Sequence, residues 1–290
     1  MRRRDFIATA AGSAAAFALP SAALSAGADA TLDALESGSG GRLGVFAFDV
    51  RTGRAIAHRA DQRFPMCSTF KLLLVSAVLE SADGRKEKLD RKIHYTEHDL
   101  LAYAPITTKN VARGYMTVGE LCAAAIEWSD NTAANLLIAS LGGPSEVTEY
   151  ARSLGDPITR LDRIEPALND VGPGDRRDTT SPESMAKDLH TLVLGNALSL
   201  ENRGRLTGWL MASKTGTERI RAGVPRHWAV GDKTGSGPNG TSNDIAVLFP
   251  PNRAPIVVAA YLTGAKVNSD RRDAILATVG KVVSASLPRL

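Results

Sequence analysis

Ser68 and Lys71 lie three residues apart in Ser68-Thr69-Phe70-Lys71, at the head of an apolar run from Leu72 to Leu79. One helical turn puts a hydroxyl and an amine at that spacing on one face. A lysine inside so apolar a segment is desolvated and gives up its proton more readily. It can then help activate the hydroxyl as a nucleophile for acyl transfer. A serine at a helix N-terminus would also meet backbone N–H groups that favour developing negative charge. The same spacing, taken alone, equally describes a capping serine and a snorkelling lysine.

Three more polar islands follow in order. They are Ser129-Asp130-Asn131, Glu165-Pro166-Ala167-Leu168-Asn169 and Lys233-Thr234-Gly235. Ser129 could pass a proton to a leaving nitrogen, and Asn131 could hold an amide. Between two apolar helices, the same triplet could serve only as a cap. Glu165 and Asn169 are four apart, so a helical turn would aim both side chains at one water. That carboxylate matters most, because it offers a way to remove an acyl group from the serine. Lys233, at a strand end, is suited to bind an anion. A second copy, Lys214-Thr215-Gly216, follows Trp209-Leu210-Met211-Ala212 and resembles a helix end capped by glycine. The Lys233 copy runs into Ser236-Gly237 and a Gly/Asn-rich turn, as a hairpin requires. Lys233 is therefore taken as the anion-binding residue and Lys214 as a coincidence.

The elements that must hold these islands are strands at both ends of the chain and helices between. Period-two runs are expected at Arg42 to Val50, Ala55 to His58, Trp228 to Thr234, Asp244 to Phe249 and Ile256 to Thr263. Helices are expected near 30–37, from Ser68 to Asp83, through most of the next 130 residues, and from Asp270 to Ser286. Glycine and proline break the central helices at Gly114, Gly142-Gly143-Pro144, Gly155-Asp156-Pro157 and Gly172-Pro173-Gly174. The expected fold is two-lobed α/β: an antiparallel five-stranded sheet flanked by terminal helices, with an inserted all-helical lobe. The sheet lobe would span about 29–60 and 211–290, and the helical lobe about 61–210. Arg160 to Pro182 reads as a long ordered loop, with Arg163 and Asp178 placed to clip it shut. Pro166 makes a cis Glu165–Pro166 bond accessible.

The chain has 290 residues, 43% of them hydrophobic and 5% aromatic. That is ample for a large core and poor in stacking surfaces for nucleic acid. The formal charge is +4, and removing residues 1–28 takes away Arg2, Arg3, Arg4 and Asp5, leaving about +2. Neither charge suggests nucleic acid as a partner. Arg3-Arg4-Asp5-Phe6-Ile7, the mild apolar stretch Ile7 to Leu19 and Ala26-Gly27-Ala28 read as a twin-arginine export signal with its cleavage site. The expectation is a periplasmic, monomeric single domain from residue 29 to 290, with no membrane span. Cys67 and Cys122 read as buried thiols rather than a bridge. Histidines 58, 94, 98, 190 and 227 have no ligand spacing, so no metal or other cofactor is expected.

The order and spacing of the four islands resemble the class A serine β-lactamases, and the resemblance runs from about Leu43 to the C-terminal helix. It includes Asp178-Thr179-Thr180-Ser181-Pro182 and Thr215-Gly216 with Arg219-Ile220-Arg221-Ala222-Gly223. The resemblance implies hydrolysis of small-molecule β-lactams. Ser68 would attack the ring carbonyl, with its own N–H and that of Ser236 as the oxyanion hole. Ser129 would protonate the ring nitrogen, while Lys233, Thr234, Gly235 and Ser129 frame the substrate carboxylate. Asn131 would hold the acylamino group, Tyr103 would gate the cleft, and Glu165 with Asn169 would hold the deacylating water. Lys71 and Glu165 both remain open as the acylation base.

Three departures from the family pattern bear on substrate. Val75 stands where relatives pair a cysteine with the equivalent of Cys122. Gly237 stands where some carbapenem-hydrolysing members bridge to the equivalent of Cys67. Ser242 replaces an arginine, so Arg219, and after it Arg272, is the expected substitute for carboxylate binding. Ser236 and Gly237 fit cephalosporins as well as penicillins. A penicillin-binding peptidase would share the Ser68, Ser129 and Lys233 islands but lack the Glu165–Asn169 pair. A generic esterase would carry a G-x-S-x-G elbow, which Pro65-Met66-Cys67-Ser68-Thr69-Phe70 is not.

Overall fold

The period-two runs at the two ends of the chain pair with each other. The computed structural model describes residues 26–287. Its strands are β1 (Arg42–Asp49), β2 (Ala55–His58), β3 (Ala229–Gly237), β4 (Thr241–Phe249) and β5 (Ile256–Thr263). They form one antiparallel sheet in the order β2-β1-β5-β4-β3. β1 meets β5 with Val45 opposite Ala260, and β3 meets β4 with Lys233 opposite Ile245.

Apart from the edge strand β2, the strands are buried along nearly their whole length, not on alternate residues, because helices cover both faces. Val45, Ala47, Val258, Ala260 and Leu262 pack with residues of α1 (Ala26–Ser39) and α8 (Ser269–Ser286), among them Leu32, Ile275 and Val279. Phe46, Phe48, Val257, Ala259 and Tyr261 join the helical lobe on the other face. Each such large side chain contributes roughly 1.5–3 kcal/mol on full burial.

The helical lobe contains α2 (Lys71–Asp83), α3 (Val118–Glu127), α4 (Asn131–Leu141), α5 (Pro144–Ser153), α6 (Pro182–Val193) and α7 (Leu200–Met211). Its boundaries follow the breakers in the sequence. Thr117 and Glu120 form a capping box on α3, and Asp130 caps α4. Gly142 ends α4 with φ 112°, and prolines open α5 and α6. α2 is the axis of the lobe: every residue from Lys71 to Leu79 is buried.

The nucleophile segment departs from the expected continuous helix. Cys67–Phe70 is a 3₁₀ turn, and α2 begins only at Lys71. The chain must turn sharply out of the short strand Phe64–Pro65, and Cys67 takes φ 44° to do so. Thr69 Oγ1 donates back to Met66 O at 2.8 Å and tightens the turn. Ser68 is therefore not the cap of α2.

Cys67 and Cys122 are both free and fully buried. Burial raises the Cys67 thiol to about 12, so it is inert as a nucleophile beside Ser68. The export signal expected at 1–28 lies outside the described residues, except that Ala26-Gly27-Ala28 forms the first turn of α1. No helix among the described residues is long and apolar enough to cross a membrane.

Candidate active site

The four polar islands converge on the line where the helical lobe meets the edge strand β3. Ser68 is half-buried at the foot of this line. Met66 O accepts from Asn243 Nδ2 at 3.1 Å, and Thr69 Oγ1 lies 3.0 Å from Tyr261 Oη, so β4 and β5 hold the nucleophile turn. A Cβ on Gly235 would fall 2.8 Å from Met66 O, and one on Gly237 would fall 2.7 Å from Cys67 Sγ. The two glycines let β3 lie directly against the turn that carries Ser68. As an edge strand, β3 also leaves backbone donors facing the cleft.

Lys71 Nζ is fully buried and lies among more acceptors than it has protons. It is 2.9 Å from Ser68 Oγ, 2.8 Å from Ser129 O, 2.6 Å from Asn131 Oδ1 and 3.1 Å from Glu165 Oε1. Burial lowers its affinity for a proton, and the Glu165 carboxylate pulls back the other way. Glu165 Oε1 is itself 3.3 Å from Ser68 Oγ. Two groups able to take the serine proton therefore touch the same hydroxyl.

Glu165 follows the expected loop logic, with one change. Pro166 is in a cis peptide with it, and the turn Ala167–Asn169 is 3₁₀ rather than α. Asn169 Nδ2 still reaches Glu165 Oε2 at 2.5 Å. Leu168 is fully buried and plugs the loop into the core. At the loop's neck Arg163 Nε donates to Asp178 Oδ2 at 2.6 Å, the clip expected from the sequence. Asp178 Oδ1 also accepts from the N–H groups of Asp162 and Arg163, at 2.7 and 2.9 Å.

Ser129 has φ 58°, in the left-handed region, which turns its carbonyl to Lys71 and its hydroxyl to Lys233. Lys233 Nζ donates to Ser129 Oγ at 2.9 Å and to Thr234 O at 2.9 Å. It is buried with no ion pair among the described residues. Burial, and then the nearby Lys71, hold its pKa well below the ordinary lysine value. Asp130 caps α4 and accepts from the N–H groups of Ile106 and Thr107, both at 2.9 Å. This fixes the segment carrying Tyr103, whose carbonyl accepts from Asn131 N at 3.1 Å. Tyr103 stands 50% exposed.

Arg219 reaches the site less freely than the sequence suggested. Its guanidinium donates to Asp273 Oδ1 at 2.8 Å, to Gly235 O and Asn243 O at 2.9 Å each, and to Ser236 Oγ at 2.8 Å. It braces β3 and presents itself through the exposed Ser236. Arg272 Nε donates to Ser242 Oγ at 3.0 Å, where it meets the position noted as lacking an arginine.

Two residues that reach the site had no role in the sequence reading. Asn135 clamps Glu165 from both sides: Nδ2 donates to Glu165 O, and Oδ1 accepts from Glu165 N, each at 2.9 Å. Its spacing of four from Asn131, on one helix face, was the available signal. Thr215, from the second Lys-Thr-Gly copy, lies 2.5 Å from Thr234 by their hydroxyl oxygens. Lys214 itself is exposed, as a coincidental match should be.

The arrangement can acylate a serine, protonate a leaving group, bind an anion and activate water, without a metal step in any of these roles. The sequence model of the β-lactamase enzyme family matches residues 27–287. β-Lactamase Toho-1 of Escherichia coli is 51% identical over 253 residues, covering 87% of each chain. β-Lactamase OXY-1 of Klebsiella oxytoca is 47% identical over 272 residues, covering 93% of each. Among solved structures, an ancestral class A β-lactamase superposes with a TM-score of 0.88 at 57% identity. That match covers 90% of this chain and 100% of the other.

Proposed function

The chain belongs to the class A serine β-lactamase family, and from that premise we propose that it hydrolyses penicillins and cephalosporins through an acyl-enzyme on Ser68. The observation that carries this reading is the position of Glu165. One carboxylate oxygen lies 3.3 Å from Ser68 Oγ, and the other is held by Asn169 at 2.5 Å. A carboxylate in that position can activate water against an ester of Ser68.

In acylation, Ser68 Oγ attacks the β-lactam carbonyl while its proton passes to Lys71 or Glu165. The N–H groups of Ser68 and Ser236 stabilise the oxyanion. The C–N bond breaks, and Ser129 delivers a proton to the ring nitrogen. Lys71, 2.9 Å from Ser68 Oγ and 3.4 Å from Ser129 Oγ, replaces that proton with the one taken from Ser68, so every group of the site regains its starting charge. In deacylation, Glu165 takes a proton from water, the resulting hydroxide attacks the ester carbonyl, and the bond to Ser68 Oγ breaks as Glu165, 3.3 Å away, returns that proton to it. The substrate carboxylate sits against Lys233, Thr234, Gly235 and Ser129, with Arg219 acting through Ser236. Its charge returns the proton affinity that burial removes from Lys233. Asn131 holds the acylamino group, and Tyr103 forms the cleft wall.

The enzyme acts in the periplasm as a monomer, after export by the twin-arginine route, and confers resistance there. Gly237 gives no partner to Cys67, so strong carbapenem turnover is not part of this proposal. Steady-state ring opening tests it. Both penicillin and cephalosporin should be turned over many times per enzyme. An enzyme that left cephalosporins untouched would restrict the reading to penicillins, and one that turned over neither would end it.

A further inference from the structure

The second Lys-Thr-Gly copy has no part in the reaction above, yet its threonine lies on the anion site. The turn that carries it is pinned on β3 and on the end of α3. Ser213 Oγ donates to Asp232 Oδ2 at 2.9 Å, and Lys214 N donates to Glu127 O at 2.8 Å. A Cβ on Gly216 would fall 1.9 Å from Asp232 Oδ2, so only glycine allows this approach. Thr215 is half-buried there, with its Oγ1 2.5 Å from Oγ1 of the buried Thr234.

Each hydroxyl carries a single proton, and only one proton can lie between the two oxygens. If Thr234 donates to Thr215, its oxygen turns lone pairs toward an arriving carboxylate. If Thr215 donates to Thr234, the Thr234 proton is free to point at the anion. Lys233, whose Nζ is 2.9 Å from Thr234 O, already marks this spot as an anion site. A hydroxyl that accepts one hydrogen bond also donates the next one more strongly.

We propose that Thr215 is a positioning residue of the substrate-carboxylate site: its hydroxyl donates to Thr234 and fixes Thr234 as a donor to the anion. This rests on the β-lactam reading above. The effect should be confined to substrates that carry the carboxylate.

The test compares wild type, Thr215→Val, Thr215→Ala and Thr215→Ser with benzylpenicillin and with its methyl ester. Both donorless variants should raise KM for benzylpenicillin about five- to tenfold, the scale of one hydrogen bond between neutral groups, with kcat within about twofold. Their kcat/KM on the ester should match wild type, and Thr215→Ser should restore the wild-type KM. Adding Thr215→Val to Thr234→Val should cause no further loss. An unchanged KM in both donorless variants, or an equal loss on acid and ester, would overturn the inference while leaving the β-lactamase reading intact. A wild type that opened neither substrate would remove that reading and this inference together.

Discussion

Glu165 is held through both its side chain and its backbone. Its carboxylate meets Ser68, Lys71 and Asn169, and its backbone is held on both sides by Asn135. The two backbone bonds set where the side chain starts, so they set where activated water can stand. Asn135→Leu keeps the volume and removes both. Each lost buried partner costs about 1–3 kcal/mol, which predicts deacylation slowed at least about tenfold. Acylation should stay within a few-fold of wild type, because Lys71 still touches Ser68. Single-turnover kinetics separate the two steps, and an equal fall in both would contradict the clamp. The reacting side chains were legible in the sequence because the chemistry restricts each position to one or two residue types. Asn135 was not, since its spacing of four from Asn131 places it on the site-facing side of α4 but names no partner.

At the scale of elements, the loop from Arg160 to Ser181 carries Glu165, and two contacts hold its neck. One is the Arg163–Asp178 ion pair. Arg163→Ala leaves Asp178 fully buried with only the backbone donors of residues 162 and 163. Amide protection across 163–170 should fall in hydrogen exchange, and selectivity among β-lactams should change. Unaltered protection would remove the clip from the account.

The other contact is a carboxyl pair under the loop. Asp188 on α6 is buried close to Asp156, which itself accepts from the N–H groups of Ile158 and Thr159. Arg152 donates to the carbonyls of Asp156 and Thr159, and Arg63 donates to that of Ile158. The nearby Tyr150 is buried as well. Burial, and then Asp156, raise the Asp188 pKa well above its ordinary 3.8. The folded state thus binds this proton more tightly than the unfolded chain. The stabilisation is full below about pH 4 and is lost as pH rises through the raised value. Asp188→Asn should therefore gain on wild type by about 1.4 kcal/mol per pH unit across that window. Denaturant unfolding from pH 4 to 8 measures this, and a constant difference between the two proteins would contradict it.

At the scale of the whole molecule, the sheet is closed by the two ends of the chain, and the site sits where its edge strand meets the inserted helices. β1 and β5 pair along their full length, so the nucleophile turn and the Lys233 strand are set by one long-range register. This was legible because β-branched runs lie only at the ends, and helical periods with Gly/Pro breaks fill the middle. The 3₁₀ turn at Cys67 and the left-handed Ser129 were not legible. Tertiary contacts impose those conformations against the local preference of both residues. Fold stability here rests on packing without a covalent brace, as both described cysteines are free and buried. Thermal unfolding should be the same with and without reductant, and a drop of several degrees in reductant would show a bridge.

The central claim is that Glu165 drives release of the acyl group from Ser68, and time-resolved intact mass with excess benzylpenicillin tests it most directly. Wild type should show at most a transient adduct while substrate is consumed over many turnovers. Glu165→Gln should accumulate a stoichiometric adduct on Ser68 that decays at least about a hundredfold more slowly, the contribution of a placed general base. A Glu165→Gln enzyme that turned over like wild type, or a wild type that held its adduct, would contradict the account.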